Sequence, residues 1–271
     1  MLLTMSGGTG VALWAVIMLI PGTGWDAHVY WSASLSHPYV ATLAGAAGAP
    51  GAYLYSPVFR QVLEPLALLP WPVFHALWLA LLIGLILLLT GPLAIVVLLN
   101  PIMLIELAAG NIHVLLATAI VLGFRYPATW AFVLLTKVTP GVGVLWFLVR
   151  REWRKLAAVA LGTLVVSGIS FALAPGLWVE WIQSLVRNAS IPASDYTGAI
   201  FGPLWLRGPL AAVIVAWGAL TDRRWAVPVA ATLAIPLLAY FNLSLLVALV
   251  PLALPASVPY LSRWLSNSAA S

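Results

Sequence analysis

Six ionisable side chains stand where an otherwise apolar chain could do chemistry: Asp26, Arg60, Glu64, Glu106, His113 and Lys137. Ionisable groups at membrane depth are costly and mark functional positions by default. Asp26 lies in Gly24-Trp25-Asp26-Ala27-His28-Val29-Tyr30-Trp31, just past the first apolar run, Val11 to Ile20. A carboxylate among aromatic, partly desolvated neighbours has its pKa raised towards the range of a general base. The same residue also suits the N-cap of a helix from Ala27 to Leu35, where Asp is favoured, and the two roles are compatible. Lys137 could hold a phosphate as a compact point charge, or its stem could snorkel to the membrane interface. Glu106 precedes the polar cluster Gly110-Asn111-Ile112-His113 and either lines a cavity or pairs with Arg60 or Arg207. Asp26, His28 and His37 together could bind a divalent cation, but their spacing matches no recognised ligand pattern, and no cofactor is expected. The sequence holds no phosphate-binding Walker loop, no His-Glu-x-x-His and no Gly-x-Ser-x-Gly elbow. Asn188-Ala189-Ser190 matches a glycosylation acceptor, one short sequon.

The elements that must position these groups follow from composition. Of 271 residues, 63% are hydrophobic and only 7% charged, with a mean hydropathy of +1.06. A soluble domain carries about 25% charged residues, so this chain is expected to be an all-α, polytopic membrane protein built as one integral-membrane domain over 1–271. With no cysteine, disulfides, thiolate metal sites and cysteine nucleophiles are excluded. The net charge of +5 comes from arginines clustered at segment ends, which fits topology signals and anionic headgroups rather than a nucleic-acid partner.

About eight spans are predicted: Gly7 to Pro21, Trp71 to Thr90, Pro92 to Ala108, Asn111 to Phe124, Leu156 to Leu173, Phe201 to Leu220, Trp225 to Tyr240 and Leu243 to Leu261. Two outer loops interrupt them. The first, over 22–57, opens with an amphipathic turn from Asp26 to Leu35 and continues through a loose Ala41 to Gly51 segment. A loop so long in a compact protein is functional or disordered. The second, over 174–200, carries an amphipathic piece from Leu177 to Val186. Between the loops, the stretch from Tyr55 to Pro70 is too short to span and reads as an interfacial or re-entrant helix, with Arg60 and Glu64 paired at i, i+4.

Pro127 to Val149 is long enough to cross once, yet basic residues flank both ends: Arg125 before it, and Arg150, Arg151, Arg154 and Lys155 after it. The positive-inside rule puts both flanks in the cytoplasm. A hairpin broken at Thr136-Lys137-Val138-Thr139-Pro140-Gly141 satisfies it, because proline removes an amide donor and glycine permits the turn. Lys137 is then expected at the tip of a re-entrant hairpin. A cytoplasmic N-terminus follows, with Asp26, Glu106 and Asp195 on or near the outer side.

Four motifs carry a family resemblance. Asp26-Ala27-His28-Val29-Tyr30 is similar to an Asp-x-x-Val-Tyr in a first outer loop. Tyr55-Ser56-Pro57, running on to Pro65-Leu66-Ala67-Leu68-Leu69-Pro70, is similar to a Tyr-Pro-Pro segment and the apolar-proline run after it. Gly110-Asn111 through Leu116 resembles a Gly-Gln-x-Asn-Leu-Leu helix start, and Thr136-Lys137-Val138-Thr139-Pro140 a Lys-x-Thr-Pro hairpin followed by a basic turn. In this order, over residues 26–155, they resemble glycosyltransferase family 87, the alpha-mannosyltransferase-like, polyprenyl-phosphate-dependent family of GT-C fold. The chain departs from the family at Ser56 and Asn111, where proline and Gln are usual. It also departs at Tyr240-Phe241-Asn242-Leu243-Ser244, where a Trp-Asp-His-His-like sequence often stands, and is shorter by two or three spans.

The resemblance implies transfer of a hexose, with mannose the first candidate, from a polyprenyl-phosphate sugar to a lipid or glycan acceptor at the extracytoplasmic face of the plasma membrane. Asp26 would be the general base of an inverting displacement. Lys137, Arg60 and Arg207 would be candidates for the donor phosphate, and Tyr30, Tyr55, Glu106, Asn111, His113 and Asn242 would line the substrate site. The lipid tail would enter from the bilayer. Two other classes fit parts of the sequence. A transporter or lipid flippase would also use a broken hairpin. A non-catalytic scaffold would tolerate a missing late histidine.

Overall fold

The computed structural model describes residues 2–35, 38–39, 52–189 and 202–266. The expected Ala41–Gly51 segment, His37, Ser190 and Asp195 lie outside them. Among the described residues all regular structure is helical. Helix α1 (Leu2–Leu19) lies against α4 (Trp71–Thr90), pinned where the Trp14 indole donates to the Ala76 carbonyl at 2.8 Å. Helix α2 (Trp25–Leu35) packs on α3 (Pro57–Ala67) and against α4. Their ends are fixed by polar groups reaching backbone: Trp31 Nε1 donates to Leu69 O at 3.0 Å and Arg60 Nε to Ala33 O at 3.1 Å.

Local chemistry sets the breaks. Pro72 in the first turn of α4 removes an amide that would have no partner there. At its far end Gly91, at a φ of 52°, and Pro92 interrupt the helix with a 3-10 turn over Gly91–Leu93 before α5 (Ala94–Leu98). Asn100 then caps α6 (Pro101–Ala109), its side chain accepting from the Ile102 amide at 2.9 Å. The helix ends in left-handed Gly110, and α7 (His113–Gly123) leaves at 106° to α6. A Cβ at Gly110 would lie 2.7 Å from Ala27 Cβ, so this glycine also lets α2 approach.

The next segment folds as the expected hairpin. After a 3-10 turn over Pro127–Thr129, α8 (Trp130–Thr136) ends at Lys137, whose backbone is extended. A 3-10 stretch, Thr139–Val144, folds back against it and continues into α9 (Leu145–Val149). Leu134 lies against Gly141 and Trp130 against Gly143, while the Phe124 and Trp146 rings meet at 5.3 Å. Pairs that close on each other in reverse order define antiparallel arms with Lys137–Val138 at the tip.

Among the described residues two helical runs are long and apolar enough to cross a bilayer: Trp71–Leu98, and α10 (Trp153–Leu173). The bent pair α6–α7 makes a third if counted as one span. The expected count of about eight is not reached by helix length among the described residues. Pro92 to Ala108 divides at Leu99–Asn100, and Leu243 to Leu261 divides into a 3-10 stretch over Tyr240–Ala248, α14 (Leu249–Ala253), a further 3-10 turn and α15 (Pro259–Ser266). Proline and asparagine at these joints end hydrogen-bond ladders without ending the apolar run. The other elements are α11 (Pro175–Ala189), α12 (Leu204–Leu220) and α13 (Ala226–Leu233). The last of these replaces the longer span expected from Trp225 to Tyr240.

Candidate active site

Asp26 is the second residue of α2 and does not cap it; its carboxylate reaches across to another element. The Gly24 amide donates to Ala108 O at 2.6 Å, tying the start of α2 to the end of α6. That contact sets Asp26 beside Asn111, whose Nδ2 donates to Asp26 Oδ2 at 2.5 Å. Asn111 Oδ1 accepts from the Ile112 amide at 2.7 Å and from the Tyr30 hydroxyl at 3.4 Å. The Tyr30 and Tyr55 hydroxyls lie 3.1 Å apart. One polar chain therefore runs Tyr55–Tyr30–Asn111–Asp26. The carboxylate is half-buried, and Oδ1 has no hydrogen bond to any described residue. Burial pushes its carboxyl from an ordinary value of 3.8 up to about 6, against the opposing pull of the Asn111 hydrogen bond and the Lys137 charge.

A second, deeper cluster stands behind the Gly110 turn. Glu106 and His113 are both fully buried. Glu106 Oε1 accepts the His113 amide at 2.8 Å, and Oε2 lies 2.9 Å from His113 Nδ1. Glu106 thus caps the N-terminus of α7, where a negative charge is favoured, and its partner is His113 rather than Arg60 or Arg207. Lys137 Nζ lies 2.7 Å and Asn242 Nδ2 2.9 Å from His113 Nε2. Eight candidates from the sequence are thereby brought together: Asp26, Tyr30, Tyr55, Glu106, Asn111, His113, Lys137 and Asn242.

The two arginines stand elsewhere. Arg60 binds the Ala33 carbonyl and lies 4.0 Å from Glu64, as their spacing predicts. Arg207 is buried and gives its guanidinium to backbone, at Gly202 O (2.7 Å), Leu233 O (2.5 Å), Ile235 O (2.8 Å) and Pro236 O (2.8 Å). It closes the C-terminus of α13, which fits a cation at the negative end of a helix. Among the described residues no three His, Asp or Glu side chains gather to hold a metal ion.

Sequence reasoning passed over Trp78. Its indole donates to Gly110 O at 2.7 Å and its ring meets Tyr30 at 5.7 Å, so it braces the turn that presents Asn111. Position in the middle of an apolar helix hides such a role; only the unpaired indole N–H hinted at it. At 1.5 Å per residue, Trp78 lies about 10 Å along α4 from Trp71 and about 18 Å from Thr90. Likewise α7 carries His113 about 16 Å from Phe124. That far end gathers the basic residues. Arg150 bonds Asp222 at 3.0 Å, Arg224 lies over the Phe124 ring, and Arg125 lies over Trp264.

No curated protein and no solved structure gives a significant match to the chain. The profile of glycosyltransferase family 87 matches residues 53–255, about three quarters of the sequence, covering every site residue named above except Asp26 and Tyr30. A half-buried carboxylate beside a cation, set into an apolar helical bundle, is an arrangement suited to activating a hydroxyl near an anionic substrate. Together with that match it places the protein: the chain belongs to glycosyltransferase family 87 and is a membrane glycosyltransferase.

Proposed function

We propose that the protein transfers a hexose, mannose as the first candidate, from a polyprenyl-phosphate sugar to a hydroxyl of a lipid or glycan acceptor, with inversion, in a GT-C-like frame. The observation that carries this reading is the Asp26 carboxylate. Asn111 fixes one oxygen, and the other faces no described donor. In the transfer, Asp26 takes the acceptor proton while the acceptor oxygen bonds to the anomeric carbon. The bond from that carbon to the phosphate oxygen breaks, and the polyprenyl phosphate leaves with the electron pair. Lys137, partly buried at the hairpin tip, is the cation suited to the phosphate charge. Arg207 is a poor candidate for it, because its donors are already committed to four carbonyls.

The depth of the site supports a position beneath the extracytoplasmic face of the plasma membrane. It lies about 10 Å from the tryptophan end of α4 and about 16–18 Å from the basic end along helices of ordinary rise. With the basic end cytoplasmic, the carboxylate is recessed below the outer surface. A prenyl phosphate, whose tail stays in the bilayer, can reach such a depth. The acceptor would arrive from outside.

The test is sugar transfer in membranes from radiolabelled polyprenyl-phosphate mannose to a lipid-acceptor extract. Product from wild type and a loss of at least about a hundredfold in Asp26→Asn are expected, since a positioned base contributes about 10²–10⁴-fold. Equal product from both proteins would remove Asp26 from the mechanism. No product from folded wild type with several prenyl-phosphate sugars would move the reading to a transporter or scaffold.

A further inference from the structure

Two donors converge on one acceptor at the centre of the buried cluster. His113 Nε2 faces Lys137 Nζ at 2.7 Å and Asn242 Nδ2 at 2.9 Å. A neutral imidazole has one N–H and one acceptor nitrogen. Glu106 decides which is which. Its Oε1 already accepts the His113 amide, and its Oε2, 2.9 Å from Nδ1, requires a proton there. Nε2 is left as the acceptor. Asn242 is oriented as firmly, because its Oδ1 accepts the Ala239 amide at 2.6 Å and turns Nδ2 towards the ring.

The partners differ in freedom. Glu106 and His113 are fully buried and Asn242 is 2% exposed. Lys137 sits on a long unbranched stem at the broken tip of the hairpin, next to Val138, which is 53% exposed. A single lone pair cannot serve two donors equally well, so either can hold Nε2 without the other. An unpaired buried acceptor would carry its full desolvation penalty; with Asn242 in place, Lys137 can leave without incurring it.

We propose that Glu106, His113 and Asn242 form a cradle that positions the Lys137 ammonium, and that Asn242 takes over Nε2 when Lys137 turns to the donor phosphate. The proposal rests on the assignment of Lys137 to that phosphate. Glu106, His113 and Asn242 are then positioning residues, acting on the donor only through Lys137.

Equilibrium binding of radiolabelled polyprenyl-phosphate mannose to the detergent-purified protein tests the cradle. Glu106→Gln can turn an amide N–H towards Nδ1, which reverses the tautomer and sets an N–H against both donors. Donor Kd should then rise about tenfold, the scale on which orienting partners act, while acceptor KM stays near wild type. In a Lys137→Met background, whose own donor Kd is raised, Glu106→Gln should change donor Kd no further. Asn242→Ala leaves Lys137 as the sole donor to Nε2 and should likewise raise donor Kd in the wild-type background and change it no further in Lys137→Met, which covers the case in which Glu106→Gln fails to accumulate. Equal fold-changes with and without Lys137, or an unchanged donor Kd with only kcat reduced, would overturn the cradle. Active wild type with donor Kd unchanged in both variants defeats the cradle alone. Wild type that neither binds nor transfers any prenyl-phosphate sugar defeats the transferase reading beneath it.

Discussion

A general base has to be ionised before it can take a proton, so if Asp26 is the base proposed above, burial that raises its carboxyl to about 6 sets a lower edge to the working pH. Below that edge the ionised fraction, and with it the rate at limiting substrate, should fall about tenfold for each pH unit. Above it the rate should level. The Asn111 hydrogen bond favours the charged form, so Asn111→Ala should move the whole limb to higher pH as well as reduce the plateau. A pH–rate profile of both proteins in membranes reads this directly. An unmoved limb would mean that Asn111 does not act on the carboxylate, and a limb moved to lower pH would reverse the sign argued here. Tyr30, which donates to the far side of Asn111, should act more weakly because its bond, at 3.4 Å, is the longest of the chain.

At the scale of elements, the site depends on two interruptions, one at Gly110 and one at Lys137. The second was legible in the sequence, because basic residues on both flanks of Pro127 to Val149 and the Thr136-to-Gly141 break favour a chain reversal there over one crossing. The first was only half legible. Gly110-Asn111 marked a helix start, yet nothing in the spacing said that the chain turns by 106° there and brings His113 back onto Glu106. A separation of seven along an unbroken helix would put the two on one face two turns apart. Asn242, remote in sequence, was seen as a departure from a family pattern and not as a partner of His113. The span count is not matched by helix length for a related reason: apolar runs report what can face lipid, not where a hydrogen-bond ladder ends. The hairpin arms give their own prediction. A Cβ at Gly143 would lie 2.3 Å from Trp130 Cη2 and 2.8 Å from Val227 Cγ1. Gly143→Ala therefore forces the arms apart, an overpacking of about 1–3 kcal/mol, and should lower Tm in detergent by about 5 °C. Gly168→Ala is the control, since a Cβ there meets nothing within 4 Å; equal losses from both would contradict close packing of the arms.

For the whole molecule, the question is which way the bundle faces. Helix α10 leaves Leu161, Leu164 and Ile169 more than half exposed, an apolar surface suited to lipid. At one end Arg125, Arg150, Arg223 and Arg224 are drawn together by Asp222 and by the rings of Phe124, Trp146, Trp217 and Trp264. If that end is cytoplasmic, both feet of the hairpin stand there and its tip points towards the outer face. The chain has no cysteine, so single-cysteine variants can be labelled against no background. Tyr126→Cys, at a position 51% exposed before the hairpin, and Arg154→Cys, after it, should both react with an impermeant maleimide only in inside-out membrane vesicles. Val138→Cys, at the tip, should react only in right-side-out vesicles, and a prenyl-phosphate sugar should protect it by occupying the space beside Lys137. A single crossing would instead place Tyr126→Cys and Arg154→Cys on opposite sides. Labelling of all three from the cytoplasmic side would put the carboxylate within reach of the wrong compartment, and the acceptor would then have to be sought there.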